Sequence, residues 1–108
     1  MNILFLCTSN LHRSRTAEDY FKSKCRCHEF KSAGLSEKYV KKAGSTLCTV
    51  DMLRWSHRIY VFEEMHIQRI KENTGNEFLS KIVNLNIADE YTYFHRNLLP
   101  LLQKKVQF

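Results

Sequence analysis

Short apolar runs that are typical of buried strands alternate along this chain with segments whose apolar residues recur at helical spacing. The runs predict strands at residues 2–6, 28–31, 58–62 and 82–85, and the spaced segments predict helices at 14–24, 46–55, 64–73 and 98–106. Such an alternating order favours a parallel sheet that is covered by helices on both faces. We therefore predict a three-layer α/β fold with a four-stranded parallel sheet flanked by helices. Ligands bind beyond the carboxyl ends of the strands in sheets of this kind.

The length and composition favour one globular domain. The chain has 108 residues, which we expect to form a single domain over 1–108, and its 44% hydrophobic and 26% charged residues are ordinary for that class. No apolar run approaches the roughly 20 residues of a membrane span, and no secretory signal pattern is present, so we expect a cytoplasmic protein without a membrane partner. The net charge of +6 attracts anions, but the basic residues are spread along the chain and indicate no nucleic-acid partner. The sequence does not distinguish a monomer from a weak dimer.

The cysteines offer one candidate metal corner. Cys25 and Cys27 are separated by a single residue, whereas common zinc motifs have two or more between their cysteines, and His28 follows directly. The alternative is a turn that contains two small, half-buried side chains. We predict that the protein uses no metal and no other cofactor, and that its cysteines are reduced, as is usual in the cytoplasm.

The segment Cys7-Thr-Ser-Asn-Leu-His-Arg13-Ser14 carries the clearest chemical signal. Five residues separate Cys7 from Arg13, and a loop this short can wrap around one tetrahedral anion with its backbone N–H groups. The helix that follows adds the positive end of its dipole, and an arginine can grip two phosphate oxygens at once. Cys7 would lie beneath the phosphorus, where the same positive field stabilises a thiolate nucleophile. A Walker loop needs Gly-Lys-Ser/Thr, which this segment lacks.

These residues resemble the low-molecular-weight protein tyrosine phosphatases, which have Cys-x5-Arg-Ser after their first strand and an asparagine at the position of Asn10. Weaker similarity runs along the chain in Ser32-Ala33-Gly34, in WSHRIYVFEEMHIQRI and in Asp89-Glu90-Tyr91, and the whole resembles a short branch of predicted tyrosine phosphatases in this group. The resemblance implies that Cys7 is the nucleophile and becomes a phosphocysteine, that Arg13 binds the phosphoryl group, and that Asp89 is the general acid.

The resemblance also implies roles in the loop and at its rim. Ser14 would donate to the Cys7 thiolate, and Asn10 would hold the loop shape through a left-handed backbone. The implied phosphate-binding residues are Thr8, Ser9, Asn10, Leu11, His12, Arg13 and Ser14. Glu90 is the rival acid. Tyr91 and Tyr93 either wall an aryl substrate pocket or pack over the C-terminal helix.

Two histidines near these segments are given lesser roles. We expect His12 to point out of the loop, and His66 to lie at a solvated helix start rather than to act as a ligand.

The function that these residues favour is cysteine-dependent hydrolysis of a phosphomonoester. The substrate would be a phosphorylated protein or a small aryl phosphate, and inorganic phosphate or sulfate could occupy the loop. A second hypothesis is arsenate reductase, which shares the loop and needs relay cysteines such as Cys48 or the Cys25 and Cys27 pair. A third is a phosphate- or phosphopeptide-binding module with weak catalysis.

Overall fold

A computed structural model describes all 108 residues, and its centre is a four-stranded parallel sheet. The strands are β1 (Asn2–Cys7), β2 (Glu29–Gly34), β3 (Arg58–Val61) and β4 (Ile82–Asn84), and they lie in the order β2-β1-β3-β4. The helices are α1 (Arg13–Lys24), α2 (Glu37–Ala43), α3 (Val50–Trp55), α4 (Glu64–Thr74) and α5 (Leu98–Lys105), with a 3₁₀ turn at Leu79–Lys81. The predicted four-stranded α/β fold is confirmed.

The sheet separates two apolar layers, which gives the three-layer arrangement. Side chains alternate along β1 because successive residues of a strand point to opposite faces. Ile3, Phe5 and Cys7 pack with α1 and α5, whereas Leu4 and Leu6 pack with α3 and α4. β1 is therefore buried on both faces, as its unbroken apolar sequence predicts for a central strand of a parallel sheet.

The carboxyl ends of the strands meet at one edge of the sheet. Cys7 is paired with Gly34 of β2, and Leu6 is paired with Val61 of β3. The pairing continues past the strand ends, since the Leu35 N–H donates to the Cys7 carbonyl at 2.9 Å. The loops after β1, β2, β3 and β4 consequently surround the same space.

The region between β2 and α3 differs from the prediction. A helix was predicted over 46–55, but α3 begins only at Val50, where the Thr49 hydroxyl caps it by accepting from the Met52 N–H at 3.2 Å. The preceding residues are extended instead, because Gly34 donates to the Thr46 carbonyl and accepts from the Cys48 N–H. α2 was not predicted, since Val40 is its only buried side chain and it has no apolar stripe.

The C-terminal helix has its proline where a helix tolerates one. α5 begins at Leu98, so Pro100 lies in the first turn, where a backbone N–H has no partner within the helix. None of the helices combines the length and the apolar character that crossing a bilayer requires.

Candidate active site

The loop after β1 places a buried thiol beside a buried hydroxyl. Cys7 is 2% exposed, and its Sγ atom lies 2.9 Å from the Ser14 hydroxyl oxygen at the start of α1. Both groups lie at the carboxyl end of the central strand. The arrangement allows the hydroxyl to donate to the sulfur when the sulfur is a thiolate.

Asn10 holds the loop together from inside. Its φ angle is 58°, in the left-handed region that asparagine tolerates better than most residues. Its side-chain amide donates to the Ser14 hydroxyl at 2.8 Å and to the Ser32 hydroxyl of β2 at 2.9 Å, and its carbonyl accepts from the Thr46 N–H. Ser9, the residue before it, does not have a positive φ.

The backbone donors of the loop have no partners in the protein. No N–H group from residue 8 to residue 15 donates to another protein group, and the first turn of α1 contains no acidic side chain. The last of these donors are the free amides of a helix N-terminus, where the helix dipole favours an anion. A run of unpaired N–H groups that ends at a helix start is a suitable site for a phosphate-sized anion.

Arg13 is buried with its charge compensated by two carboxylates. It is 2% exposed, and its guanidinium donates to Glu63 at 2.7 Å and to the Ile87 carbonyl at 2.8 Å. Asp89 lies on the other side, 3.7 Å from Arg13 Nε. Because Glu63 and Asp89 follow β3 and β4, the loops of three strands meet at this one side chain.

The two predicted acids are placed differently. Asp89 is 65% exposed and next to Arg13, so its carboxyl can reach the mouth of the loop. Glu90 is exposed and forms no ion pair with Arg13. The sequence predicts no role for Glu63, although this residue follows the carboxyl end of a parallel strand, a position that could have identified it.

The prediction that His66 lies at a solvated helix start is wrong. His66 is 3% exposed, and its Nδ1 atom accepts from the backbone N–H groups of Phe62 and Glu63 at the N-terminus of α4. With Nδ1 used as an acceptor, the neutral ring carries its proton on Nε2, which lies 3.0 Å from the Thr8 hydroxyl. Burial, together with the positive charge of Arg13, lowers the pKa of His66 to about 4. His66 therefore fixes the second residue of the loop to α4 as a neutral group.

Gly34 lets the backbone of the loop lie close to β2. A Cβ atom at this position would be 2.8 Å from the Thr8 carbonyl oxygen and 2.9 Å from the Ser9 carbonyl carbon, which is too short for any side chain. The Ser45 hydroxyl donates to the Ser9 carbonyl on the same side. The loop is thus supported along its length by β2 and the segment that follows it.

An opening beside the loop is partly apolar. It is lined by two loop residues, Leu11 and His12, and by Arg15 and Tyr93. The His12 Nδ1 atom accepts from the Tyr93 N–H at 3.0 Å, so this imidazole faces the rim as expected. Tyr91 is not at this opening; it is half-buried against the core and packs on His95, with 5.5 Å between ring centroids. Of the two predicted pocket tyrosines, the structure brings only Tyr93 to the loop.

The remaining cysteines do not converge on Cys7. Cys25 and Cys27 lie next to the amino end of β2, at the opposite end of the sheet, and with His28 they form a group of possible metal ligands within 4.8 Å of one another. Cys48 is a half-buried thiol, and burial raises its pKa to about 12, so it is a poor nucleophile. Neither place supplies the relay cysteine that arsenate reduction would need.

Solved structures share this fold along nearly the whole chain, although no protein-family model and no curated protein sequence matches it. The tyrosine phosphatase Wzb of Escherichia coli K30, in complex with phosphate, is 20% identical over 96% of this chain and 91% of that chain, with a TM-score of 0.75. The arginine phosphatase YwlE of Geobacillus stearothermophilus is 22% identical over 95% and 84%, with a TM-score of 0.71. A low-molecular-weight protein tyrosine phosphatase of Streptococcus pyogenes is 17% identical over 95% and 83%, with a TM-score of 0.73. The chain therefore has the fold of the low-molecular-weight protein tyrosine phosphatases, as its sequence resemblance implies.

Proposed function

We propose that this protein is a cysteine-dependent phosphomonoesterase that hydrolyses aryl phosphates, with protein phosphotyrosine as the substrate class. One observation carries the proposal: the Cys7 sulfur lies at the base of a loop whose N–H groups are unpaired and whose arginine is buried. An anion held by that loop would be in direct reach of the sulfur. The solved structures with this fold that are named tyrosine or arginine phosphatases support the same reaction class.

In the first step, the Cys7 thiolate attacks the phosphorus and forms a sulfur–phosphorus bond. The bond between phosphorus and the ester oxygen breaks, and Asp89 donates a proton to the departing oxygen. The backbone N–H groups and Arg13 hold the three equatorial oxygens, where the charge of the transition state is spread. Arg13 is already fixed for this task by Glu63 and Ile87.

In the second step, water attacks the phosphocysteine and releases inorganic phosphate. Asp89, now a carboxylate, takes the proton from that water. The Ser14 hydroxyl, 2.9 Å from the sulfur, donates to the Cys7 thiolate as it leaves and so lowers the cost of breaking the sulfur–phosphorus bond. The mechanism needs Cys7 to be reduced, which agrees with the predicted cytoplasmic location.

The rim of the loop favours an aryl group over a guanidino group. Leu11 and Tyr93 offer an apolar side chain and an aromatic ring to the leaving group, whereas Arg15 would repel a cationic one. Phosphoarginine stays the second candidate substrate, because two solved structures of this fold are named arginine phosphatases. Hydrolysis rates for free phosphotyrosine and phosphoarginine, measured side by side, distinguish the two, and a higher kcat/KM for phosphoarginine would overturn the aryl assignment.

The experiment is hydrolysis of a small aryl phosphate between about pH 5 and 7, with reductant and a chelator, by wild type, Cys7→Ser and Asp89→Ala. We expect Cys7→Ser to abolish turnover and Asp89→Ala to reduce kcat by about 10²- to 10⁴-fold, the usual contribution of a general acid. Glu90→Gln is the matched control, since it removes the neighbouring carboxylate, and it should leave kcat within about twofold.

Two outcomes would replace the proposal. If wild type binds inorganic phosphate but hydrolyses neither substrate, the protein is a phosphate-binding module. If arsenate oxidises thiols of the reduced protein, and aryl phosphate is not hydrolysed, the loop serves arsenate reduction.

A further inference from the structure

The connection between α1 and β2 brings three metal-ligand side chains together, far from the loop of Cys7. The Sγ atoms of Cys25 and Cys27 and a ring nitrogen of His28 all lie within 4.8 Å of one another. No other set of three such side chains in the structure converges in this way. The phosphatase chemistry proposed above makes no use of them.

Two of the three residues are held in place by the fold. Cys25 ends α1, where its N–H donates to the Phe21 carbonyl at 2.8 Å, and its side chain packs against the apolar layer beneath. His28 immediately precedes β2, and its ring lies 5.1 Å from the ring of Phe108 and 6.2 Å from the ring of Phe30, between centroids. Its Nδ1 atom lies 3.0 Å from the Met1 amino nitrogen, so a metal ion has to bind through Nε2 or replace that amino group. Only Cys27 is exposed and free to adjust. A site with two positioned ligands loses little conformational entropy when it binds an ion.

The two sulfurs lie close enough to bind one ion together. They are 2.8 Å apart, and either thiol can donate to the other. A proton between the pair is the one that a metal ion would displace. Thiolate is the form of cysteine that binds metals.

We propose that Cys25, Cys27 and His28 form a zinc-binding site with three protein ligands and one solvent ligand. Two thiolates and one imidazole are a donor set that Zn²⁺ prefers, with tetrahedral distances of about 2.3 Å to sulfur and about 2.0 Å to nitrogen. In that geometry the sulfurs are about 3.8 Å apart, so the pair has to open by about 1 Å, which the exposed Cys27 permits. The Cys27 proton, and that of Cys25 where it is still present, pass to the solvent as the two zinc–sulfur bonds form.

The expected consequence is local stabilisation rather than catalysis. The ion would join the end of α1 to the start of β2, a connection in which no regular hydrogen-bonded element lies between Lys24 and Glu29. Cys7 lies at the other end of β1, since Cys7 pairs with Gly34 whereas Asn2 pairs with Glu29. Zinc at this site should therefore raise the melting temperature without being needed for aryl phosphate hydrolysis.

The test uses Co²⁺ as a spectroscopic substitute for Zn²⁺, in the full chain with Cys7→Ser so that the loop thiolate does not compete. With a phosphine reductant, we expect one equivalent of Co²⁺ to give thiolate charge-transfer absorption and the visible bands of tetrahedral cobalt, and Zn²⁺ to displace it. Adding Cys27→Ser or His28→Gln should weaken binding by more than about tenfold, because each removes a ligand. Adding Cys48→Ser, which removes a thiol elsewhere, should leave the spectrum and affinity unchanged.

The same cobalt titrations can refute the proposal. Absence of charge-transfer absorption, or an affinity that survives both Cys27→Ser and His28→Gln, would overturn the site. Loss of two titratable thiols on air oxidation, with no cobalt bound before it, would make Cys25 and Cys27 a redox pair instead. Because these measurements use protein without the Cys7 nucleophile, their failure says nothing about the phosphatase proposal, and the reverse also holds.

Discussion

His66 should make the stability of this protein depend steeply on pH, and His66→Gln should remove that dependence. Glutamine is a good replacement at this position, since its side-chain carbonyl can still accept the backbone N–H of Glu63 at the start of α4. Glutamine does not titrate, and it cannot keep both of the other contacts of the ring. At pH 7 we expect the variant to be less stable by about 1 kcal/mol, the usual value of one lost hydrogen bond, here that to Thr8.

The direction in which stability changes at low pH follows from the burial of the His66 ring. The pKa of His66 is lowered from 6.5 to about 4, so the unfolded chain takes up a proton at this residue before the folded protein does. The stabilisation from the neutral ring is complete above pH 6.5 and is lost as the pH falls towards 4. This lowering of the pKa corresponds to about 3.5 kcal/mol in full, at about 1.4 kcal/mol per pKa unit, and about 3 kcal/mol of it is lost by pH 4. Wild type should thus be less stable than His66→Gln at pH 4 by about 2 kcal/mol.

The assay is urea unfolding of both proteins at pH 7, 5.5 and 4, with the difference in unfolding free energy as the readout. Acid titration of carboxyl groups distant from His66 affects both proteins alike and cancels in this difference. His57→Asn is the control, because it removes an exposed histidine instead and should retain the acid loss of wild type. A difference that stays constant from pH 7 to pH 4 would refute the buried, neutral state of His66.

Three further variants test the support of the loop. Glu63→Gln removes a negative charge beside Arg13 but keeps an acceptor oxygen, so calorimetry should show inorganic phosphate binding about five- to tenfold more tightly, with about 1 kcal/mol lost in urea unfolding. Gly34→Ala places a Cβ against the Thr8 carbonyl and should cost about 2 kcal/mol and weaken phosphate binding. Asn10→Ala should cost about 2–3 kcal/mol in thermal or urea unfolding, whereas Asn10→Gly should recover the part that is due to the positive φ.

Much of the fold could be predicted because its signals are local. The unbroken apolar run of β1 and the β-branched and aromatic run of β3 identify central strands, and the alternation with helical stripes identifies the parallel sheet. The region 35–49 could not be predicted in this way. Its conformation depends on two hydrogen bonds, from the Gly34 N–H to the Thr46 carbonyl and from the Cys48 N–H to the Gly34 carbonyl, which join residues that the sequence does not show to be neighbours.

The candidate site likewise has local features that the sequence predicts and long-range contacts that it does not. The spacing of Cys7 and Arg13 places both residues in one loop, and the left-handed backbone of Asn10 follows from the residue type. The partners of that loop come from other elements: Glu63 and His66 from the start of α4, and Gly34 from β2. Charged and polar residues at a helix start are usually solvated, so burial of His66 is visible only once the order of the strands is known.

The two carboxylates beside Arg13 are not equivalent, and their difference bears on how an anion enters the loop. Glu63 is held in place, because it accepts a charge-assisted hydrogen bond of 2.7 Å from Arg13 and lies at the start of α4. Asp89 is 65% exposed, and its contact of 3.7 Å with Arg13 is weak. A phosphoryl group that binds Arg13 should therefore displace Asp89 and leave Glu63 in place. The displaced carboxyl is then free at the mouth of the loop, where a leaving oxygen would need a proton. It follows that Asp89→Asn should change the affinity for inorganic phosphate less than Glu63→Gln does, and the opposite order would contradict this view of the site.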